Sequence, residues 1–217
     1  MLAAENIWKS YKGEPVLRGV SFAVQPGSVL GVCGSNGAGK TTLISVVASI
    51  LPPDQGSLIL MGIPLTQTAA YRSQIGYVPQ NIALSPRLTV LQNLTFWAGI
   101  RGLRGAALNR AVEEAAVMAN VSAFLKKPVG CCSGGMARRA NLAAGLIGDP
   151  HLVLLDEPTA GIDEENRDLI LGTIRQLRDK GRIILMVNHY YQELAIVCDR
   201  IITLKNGQIA EAGAYGF

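Results

Sequence analysis

Gly34-Ser35-Asn36-Gly37-Ala38-Gly39-Lys40-Thr41-Thr42 is the stretch on which the reading of this chain turns. It fits the phosphate-loop pattern of glycine, four residues, Gly-Lys and then Ser or Thr. The run before it, Val29-Leu30-Gly31-Val32-Cys33, is short, apolar and β-branched enough to be a buried strand. The residues after it, 42–50, are apolar, lack proline and suit a helix. A turn this tight needs glycine, because only a backbone without Cβ wraps a phosphate with its N–H groups pointing inward. The start of the helix adds its positive dipole end to the same anion. Ser35, Asn36, Gly37, Gly39, Lys40, Thr41 and Thr42 are therefore the expected ligands of a nucleoside triphosphate. Lys40 supplies a point charge for the outer phosphates, and the Thr41 hydroxyl a ligand for Mg²⁺.

Outside this loop, composition sets bounds. A chain of 217 residues suits one compact α/β domain with a lobe or insertion. Its hydrophobic content of 49%, against 17% charged residues, is high, yet no apolar run approaches the roughly 18 residues that span a bilayer. The first five residues show no basic stretch followed by an apolar core, so no secretory signal is expected. The net charge of +4 is mild and scattered, which gives no case for nucleic acid as a partner. Cys33, Cys131, Cys132 and Cys198 lack zinc-site spacing, and Cys33 and Cys198, in apolar contexts, fit reduced thiols. The apolar excess without a membrane span points to a sticky face for a partner.

Taken in order, residues 3–8 and 16–24 read as strands joined by a turn through Lys12-Gly13-Glu14-Pro15. Pro52-Pro53-Asp54-Gln55-Gly56 ends the first helix, and strands follow at 57–61 and 75–78. From 89 to 147 the period turns helical, broken at Pro128-Val129-Gly130. Within 89–101, Val90, Leu91, Leu94, Trp97 and Ala98 form one stripe that faces the core, leaving Phe96 and Ile100 as a separate apolar edge. Leu152-Val153-Leu154-Leu155 is a continuous apolar strand, as in a parallel sheet covered on both faces. A helix from about Asp163, a strand at 183–187, a helix at 189–197 and strands at 200–204 and 208–210 complete the chain.

Two further constellations carry chemistry. Asp156-Glu157 stands at the C-terminal end of a buried strand, where α/β sheets place their ligands. Phosphoryl transfer needs positioning and charge neutralisation, which divides the work into Asp156 on Mg²⁺ and Glu157 on the attacking water. Ser133-Gly134-Gly135 opens a helix and forms a second anion site. One nucleotide does not need two such sites in one chain, so a head-to-tail dimer is implied.

The phosphate loop, Tyr77-Val78-Pro79-Gln80, Ser133-Gly134-Gly135, Asp156-Glu157-Pro158-Thr159, Ala160-Gly161-Ile162-Asp163 and His189 follow the order of the ATP-binding cassette (ABC) ATPases, and the resemblance covers essentially the whole chain. It implies a P-loop NTPase core, with a mostly parallel sheet, an N-terminal antiparallel β region and an inserted all-helical lobe. The expected division is an ATPase core at 1–81 and 149–217 and a helical subdomain at 82–148, together one nucleotide-binding domain. By resemblance Tyr11 stacks on adenine, and Gln80 reaches Mg²⁺ and the water. Ser133 and Gly135 contact the γ-phosphate held by the other protomer, Asp163 crosses the dimer interface, and His189 bonds the γ-phosphate.

The sequence departs from the family pattern at Cys132, at Met136 and at Asn188, which stands where serine or threonine is usual; none of these removes a phosphate or metal ligand. Ser133-Gly134-Gly135-Met136 with Arg138-Arg139 resembles the branch serving drug, antibiotic and polysaccharide exporters. The expected function is thus an ATP-hydrolysing transporter subunit at the cytoplasmic face of the membrane. Its expected partners are a second ATPase subunit, identical or not, and a transmembrane permease on a separate chain. A soluble cassette ATPase acting on DNA or ribosomes is the alternative; it would usually carry coiled coils, zinc fingers or a second cassette, and this sequence shows none. The Phe96–Ile100 edge would then belong to the groove where a cytoplasmic helix of the permease docks.

Overall fold

The computed structural model describes residues 1–210. Two sheets organise it. In the first, β1 (Leu2–Tyr11), β2 (Glu14–Val24), β4 (Gln55–Leu60) and β5 (Ile63–Pro64) pair antiparallel in the order β2-β1-β4-β5. In the second, β3 (Ser28–Cys33), β6 (Ile75–Val78), β7 (Leu152–Asp156), β8 (Ile183–Val187), β9 (Arg200–Lys205) and β10 (Gln208–Ala210) take the order β10-β9-β3-β8-β7-β6. Every pairing in this second sheet is parallel except the β9–β10 hairpin.

The apolar runs of β7 and β8 follow from burial on both faces. Side chains alternate across a strand, so Leu152 and Leu154 join one core while Val153 and Leu155 join the other. One core lies between the two sheets and includes Leu43, Ile44 and Val47 of α1 (Lys40–Val47). The other packs the sheet against helices, including Ile170, Ile174 and Leu177 of α6 (Glu164–Asp179).

Between β6 and β7 run α3 (Val90–Ile100), α4 (Gly105–Met118) and α5 (Gly134–Leu146). A capping box starts α3: the Thr89 hydroxyl accepts from Gln92 N at 3.1 Å, and Gln92 Oε1 accepts from Thr89 N at 2.9 Å. Of the stripe expected to face inward, Val90, Leu94 and Ala98 are fully buried, whereas Leu91 is 39% exposed, on the rim rather than in the core.

Other boundaries also moved. The first helix begins at Lys40 and ends at Val47, because Ser49 takes a left-handed φ of 60° that no helix continues through. The hairpin turn narrows to Lys12-Gly13. The short helix α2 (Thr68–Ser73) was not anticipated; of its residues only Tyr71 is buried, so it has no periodic stripe to read. The helix α7 spans Tyr191–Val197 and starts two residues later than expected.

Close backbone contact seats α5 on β6. A Cβ on Gly76 would lie 2.1 Å from the Gly145 carbonyl oxygen, and one on Gly145 would lie 2.4 Å from Val78 Cγ2. Here glycine is required for space, since neither residue has a positive φ. Gly76→Ala should therefore lower stability by about 1–3 kcal/mol, the usual cost of overpacking. The check is a lower denaturant midpoint at unchanged m-value; a parent-like midpoint would contradict this contact.

Candidate active site

The phosphate loop is wedged between the end of β9 and the start of β2. Gly34 has φ 151°, and a Cβ there would sit 2.3 Å from the Leu204 carbonyl oxygen. At Gly39, with φ 103°, a Cβ would come within 3.0 Å of the Val16 carbonyl oxygen and 3.1 Å of Leu17 Cδ2. Ser35, Asn36 and Gly37 form the exposed tip of the loop, closed by a bond from Ala38 N to the Ser35 carbonyl at 3.1 Å. The Lys40 ammonium donates to the Gly34 and Ser35 carbonyls at 2.8 and 3.0 Å, holding a buried cation at the mouth of the loop. The first turn of α1, with Lys40, Thr41 and Thr42, presents N–H groups that a helix cannot satisfy internally. Thr41 is exposed and Thr42 half-buried.

Asp156 ends β7 and is buried; burial, and then the neighbouring Glu157 charge, push its carboxyl above the usual range, while Lys40 opposes the shift. Burial, helped by the Asp156 charge, pushes the Tyr77 phenol up to about 12. Glu157 takes φ 47°, an uncommon conformation for a residue with a Cβ. Bonds from Glu157 N to the Val187 carbonyl at 2.9 Å and from Ala160 N to the Glu157 carbonyl at 3.2 Å hold it there. Its carboxylate receives Gln80 Nε2 on Oε2 at 2.8 Å and meets His189 Nδ1 through Oε1 at 3.0 Å. Two predicted residues from separate segments, Gln80 and His189, thus meet on the carboxylate of a third, Glu157.

The remaining predicted residues lie elsewhere. Ser133 caps α5, its hydroxyl accepting from Met136 N at 3.2 Å. Gly135 is buried against the next helix, where a Cβ would meet Asn166 Cγ at 2.2 Å. Asn166 donates to both carboxylate oxygens of Asp163, the N-cap of α6, at 2.9 Å, and accepts from Arg139 Nε at 2.9 Å. Among the described residues neither Ser133 nor Tyr11 bonds to the phosphate loop. Tyr11 ends β1 opposite Glu14 and is 44% exposed.

Two residues to which the sequence reading gave no structural role, Arg138 and Asn141, tie α5 to the Gln80 loop. Asn141 Nδ2 donates to the Pro79 carbonyl at 3.1 Å, and its Oδ1 accepts from Ala83 N at 3.0 Å. Arg138 donates to the Gln80 carbonyl. The available signal was Asn141 itself, an amide within the otherwise apolar run 140–146 of a helix.

A cleft of about 840 Å³ opens between α3, α5 and the edge of the sheet, lined by Ile50, Tyr77, Trp97, Ile100, Arg101 and Asn141, among others. The predicted Phe96–Ile100 edge divides here. Ile100 lines the cleft and is 63% exposed; Phe96 is not a lining residue and packs edge-on against Trp97, with ring centroids 5.7 Å apart. No helix among the described residues is long and apolar enough to cross a membrane.

Comparison with known proteins gives concordant matches. The family model for ABC transporters matches residues 17–160. The linearmycin resistance ATP-binding protein LnrL of Bacillus subtilis is 38% identical over 214 residues, covering 98% of this chain and 69% of that protein. A Nod factor export ATP-binding protein I of Burkholderia pseudomallei is 37% identical over 211 residues, covering 97% of this chain and 69% of the relative. Among solved structures, the dimeric structure of a bacterial ABC transporter cassette superposes with TM-score 0.89 at 26% identity, with complete coverage of both chains. A dimeric post-hydrolysis state of an ATP-binding cassette, bound to ADP and phosphate, superposes with TM-score 0.89 at 25% identity, again over both whole chains.

Proposed function

Since the chain belongs to the ABC transporter family, we propose that it is the ATP-binding and ATP-hydrolysing subunit of a membrane exporter, acting as a head-to-tail dimer around two ATP. The observation that carries hydrolysis is the Glu157 carboxylate, held between Gln80 and His189 at the end of β7. Support for export comes from the relatives, which are named for linearmycin resistance and Nod factor export.

The loop amides and Lys40 bind the phosphates, with Ser35, Asn36, Gly37, Gly39, Thr41 and Thr42 completing the cradle. The donors fit Mg²⁺: the Thr41 hydroxyl, the Asp156 carboxylate and the Gln80 amide oxygen are hard oxygen ligands. Gln80 uses its amide nitrogen on Glu157, which leaves the oxygen for a cation. When bound, Mg²⁺ neutralises charge on the β- and γ-phosphates. Glu157 orients the attacking water and takes its proton. To bond Glu157 through Nδ1 and the γ-phosphate through Nε2, both acceptors, His189 carries a proton on each ring nitrogen. Tyr11 stacks on the adenine, Ser133 and Gly135 reach the γ-phosphate held by the partner protomer, and Asp163 lies at the dimer interface.

The proposed division is a helical subdomain at 82–148 within an ATPase core at 1–81 and 149–217, of which 211–217 lie outside the described residues. The permease on a separate chain docks a cytoplasmic helix in the cleft at Ile100, which puts this subunit at the cytoplasmic face of the membrane. The cleft also contains Asn141, whose amide holds the Gln80 loop, so docking and ATP binding act on the same segment.

Glu157→Gln should retain ATP binding and accumulate a closed, ATP-loaded dimer while turnover falls by about 10²- to 10⁴-fold. Steady-state ATPase assays with size-exclusion chromatography check this, and hydrolysis near the parent rate would remove Glu157 from its role.

Ile100→Glu should abolish co-purification of the permease while leaving the melting temperature and nucleotide affinity of the isolated subunit near parent values, because the side chain is already exposed. Unchanged co-purification would exclude this cleft as the docking site.

A further inference from the structure

Asn188 stands immediately before His189, is 2% exposed, and has every polar atom of its side chain engaged. Its Oδ1 accepts from Tyr190 N at 3.0 Å, closing a local turn over His189. Its Nδ2 donates to Glu193 Oε2 at 2.7 Å and to Thr159 Oγ1 at 3.3 Å. Thr159, two residues beyond Glu157 and 4% exposed, donates its hydroxyl to the same Glu193 oxygen. Three side chains from the loop after β7, the end of β8 and the first turn of α7 thus close a ring of hydrogen bonds.

The inventory of donors and acceptors explains why the ring needs these residues. An amide at 188 supplies one acceptor and two donors; a serine or threonine hydroxyl has a single proton and could not make all three bonds. Glu193 is the only pure acceptor of the three, so both buried donors end on it. Without it, the Thr159 hydroxyl and the Asn188 amide would be left without that acceptor in a buried setting, which costs more than the bonds themselves contribute. The backbone on either side is already fixed: Asn188 N donates to the Val32 carbonyl at 3.1 Å, and Glu157 N to the Val187 carbonyl at 2.9 Å. What the ring adds is a side-chain tie between the segment bearing His189 and the loop that follows Glu157. Glu193 itself makes no bond to His189 or Glu157 among the described residues.

We propose that Glu193 is a positioning residue for ATP hydrolysis, holding His189 in register with Glu157 through Asn188 and Thr159. The inference rests on the role given to His189 above.

The test uses the full chain as the dimer, comparing Glu193→Ala, Glu193→Gln, Thr159→Val, His189→Ala and the Glu193→Ala/His189→Ala double variant. Misplacing a reacting group by about 1 Å costs on the order of 10²-fold, so Glu193→Ala should lower kcat by roughly 10- to 100-fold with KM for ATP within about twofold. Glu193→Gln keeps an oxygen that accepts both bonds and should stay within about threefold of the parent. On the His189→Ala background, Glu193→Ala should add less than about twofold, because groups acting as one unit are not additive. The chain has two histidines, His151 and His189, so imidazole NMR signals give a second readout. Glu193→Ala and Thr159→Val should both shift the His189 signal and leave that of His151 in place. Thr159→Val carries the test if Glu193→Ala does not fold.

Parent-like kcat in Glu193→Ala, an undiminished loss on the His189→Ala background, or an unmoved His189 signal would overturn the proposal. Parent-like turnover of His189→Ala would overturn the reading of His189, and this inference with it. An impaired His189→Ala beside a parent-like Glu193→Ala would overturn this inference alone.

Discussion

The site depends on the in-register parallel pairing of β3, β8 and β7. Val32 and Asp156 both pair with Val187, so the chain leaves all three strands at one level. The phosphate loop, Glu157 and Asn188-His189 follow directly from those ends. On the far side, Val78 pairs with Leu155, which delivers Gln80 to the same level two residues later. Apolar side chains on both faces fix this register, since a slip of one residue would exchange the two cores. Chemistry gathered from four distant segments is thereby a consequence of ordinary sheet packing.

Much of this was legible in the sequence, for identifiable reasons. β6 and β8 match their predicted limits because proline follows the first and burial on both faces makes the second uniformly apolar. The phosphate loop was legible because glycine at Gly34 and Gly39 answers to a positive φ and a close backbone, both of which leave a pattern. The juxtaposition of Gln80, Glu157 and His189 came from resemblance; no spacing in the chain encodes a contact between residues 77 and 32 positions apart. The end of the first helix was misjudged because Ala48, Ile50 and Leu51 continue the apolar run after the helix stops; Ala48 and Leu51 pack on the core, whereas Ile50 is exposed and lines the cleft. The exposure of Leu91 was missed for a related reason: a helix stripe has edges, and periodicity does not say where the neighbouring helix ends.

Polar side chains that work by holding other segments were the least legible. Arg138, Asn141, Thr159 and Glu193 each bond to a residue remote in sequence, and none sits in a pattern that announces its partner. Two of these, Arg138 and Asn141, make α5 a rigid link between Ser133 at its start and the loop bearing Gln80. If Ser133 reads the partner's nucleotide, the same helix reports that event to its own Gln80 and Glu157. The seating of α5 on β6 through Gly76 and Gly145 leaves little slack in that link.

The central claim is that each active site joins the phosphate loop of one chain to the Ser133 end of α5 of another. Mixing a Ser133→Arg chain with a Lys40→Ala chain tests it most directly. Heterodimers then carry both lesions in one composite site and leave the second intact. The account predicts that ATPase activity, absent from either variant alone, returns in the mixture, whereas no recovery in demonstrated heterodimers would contradict it.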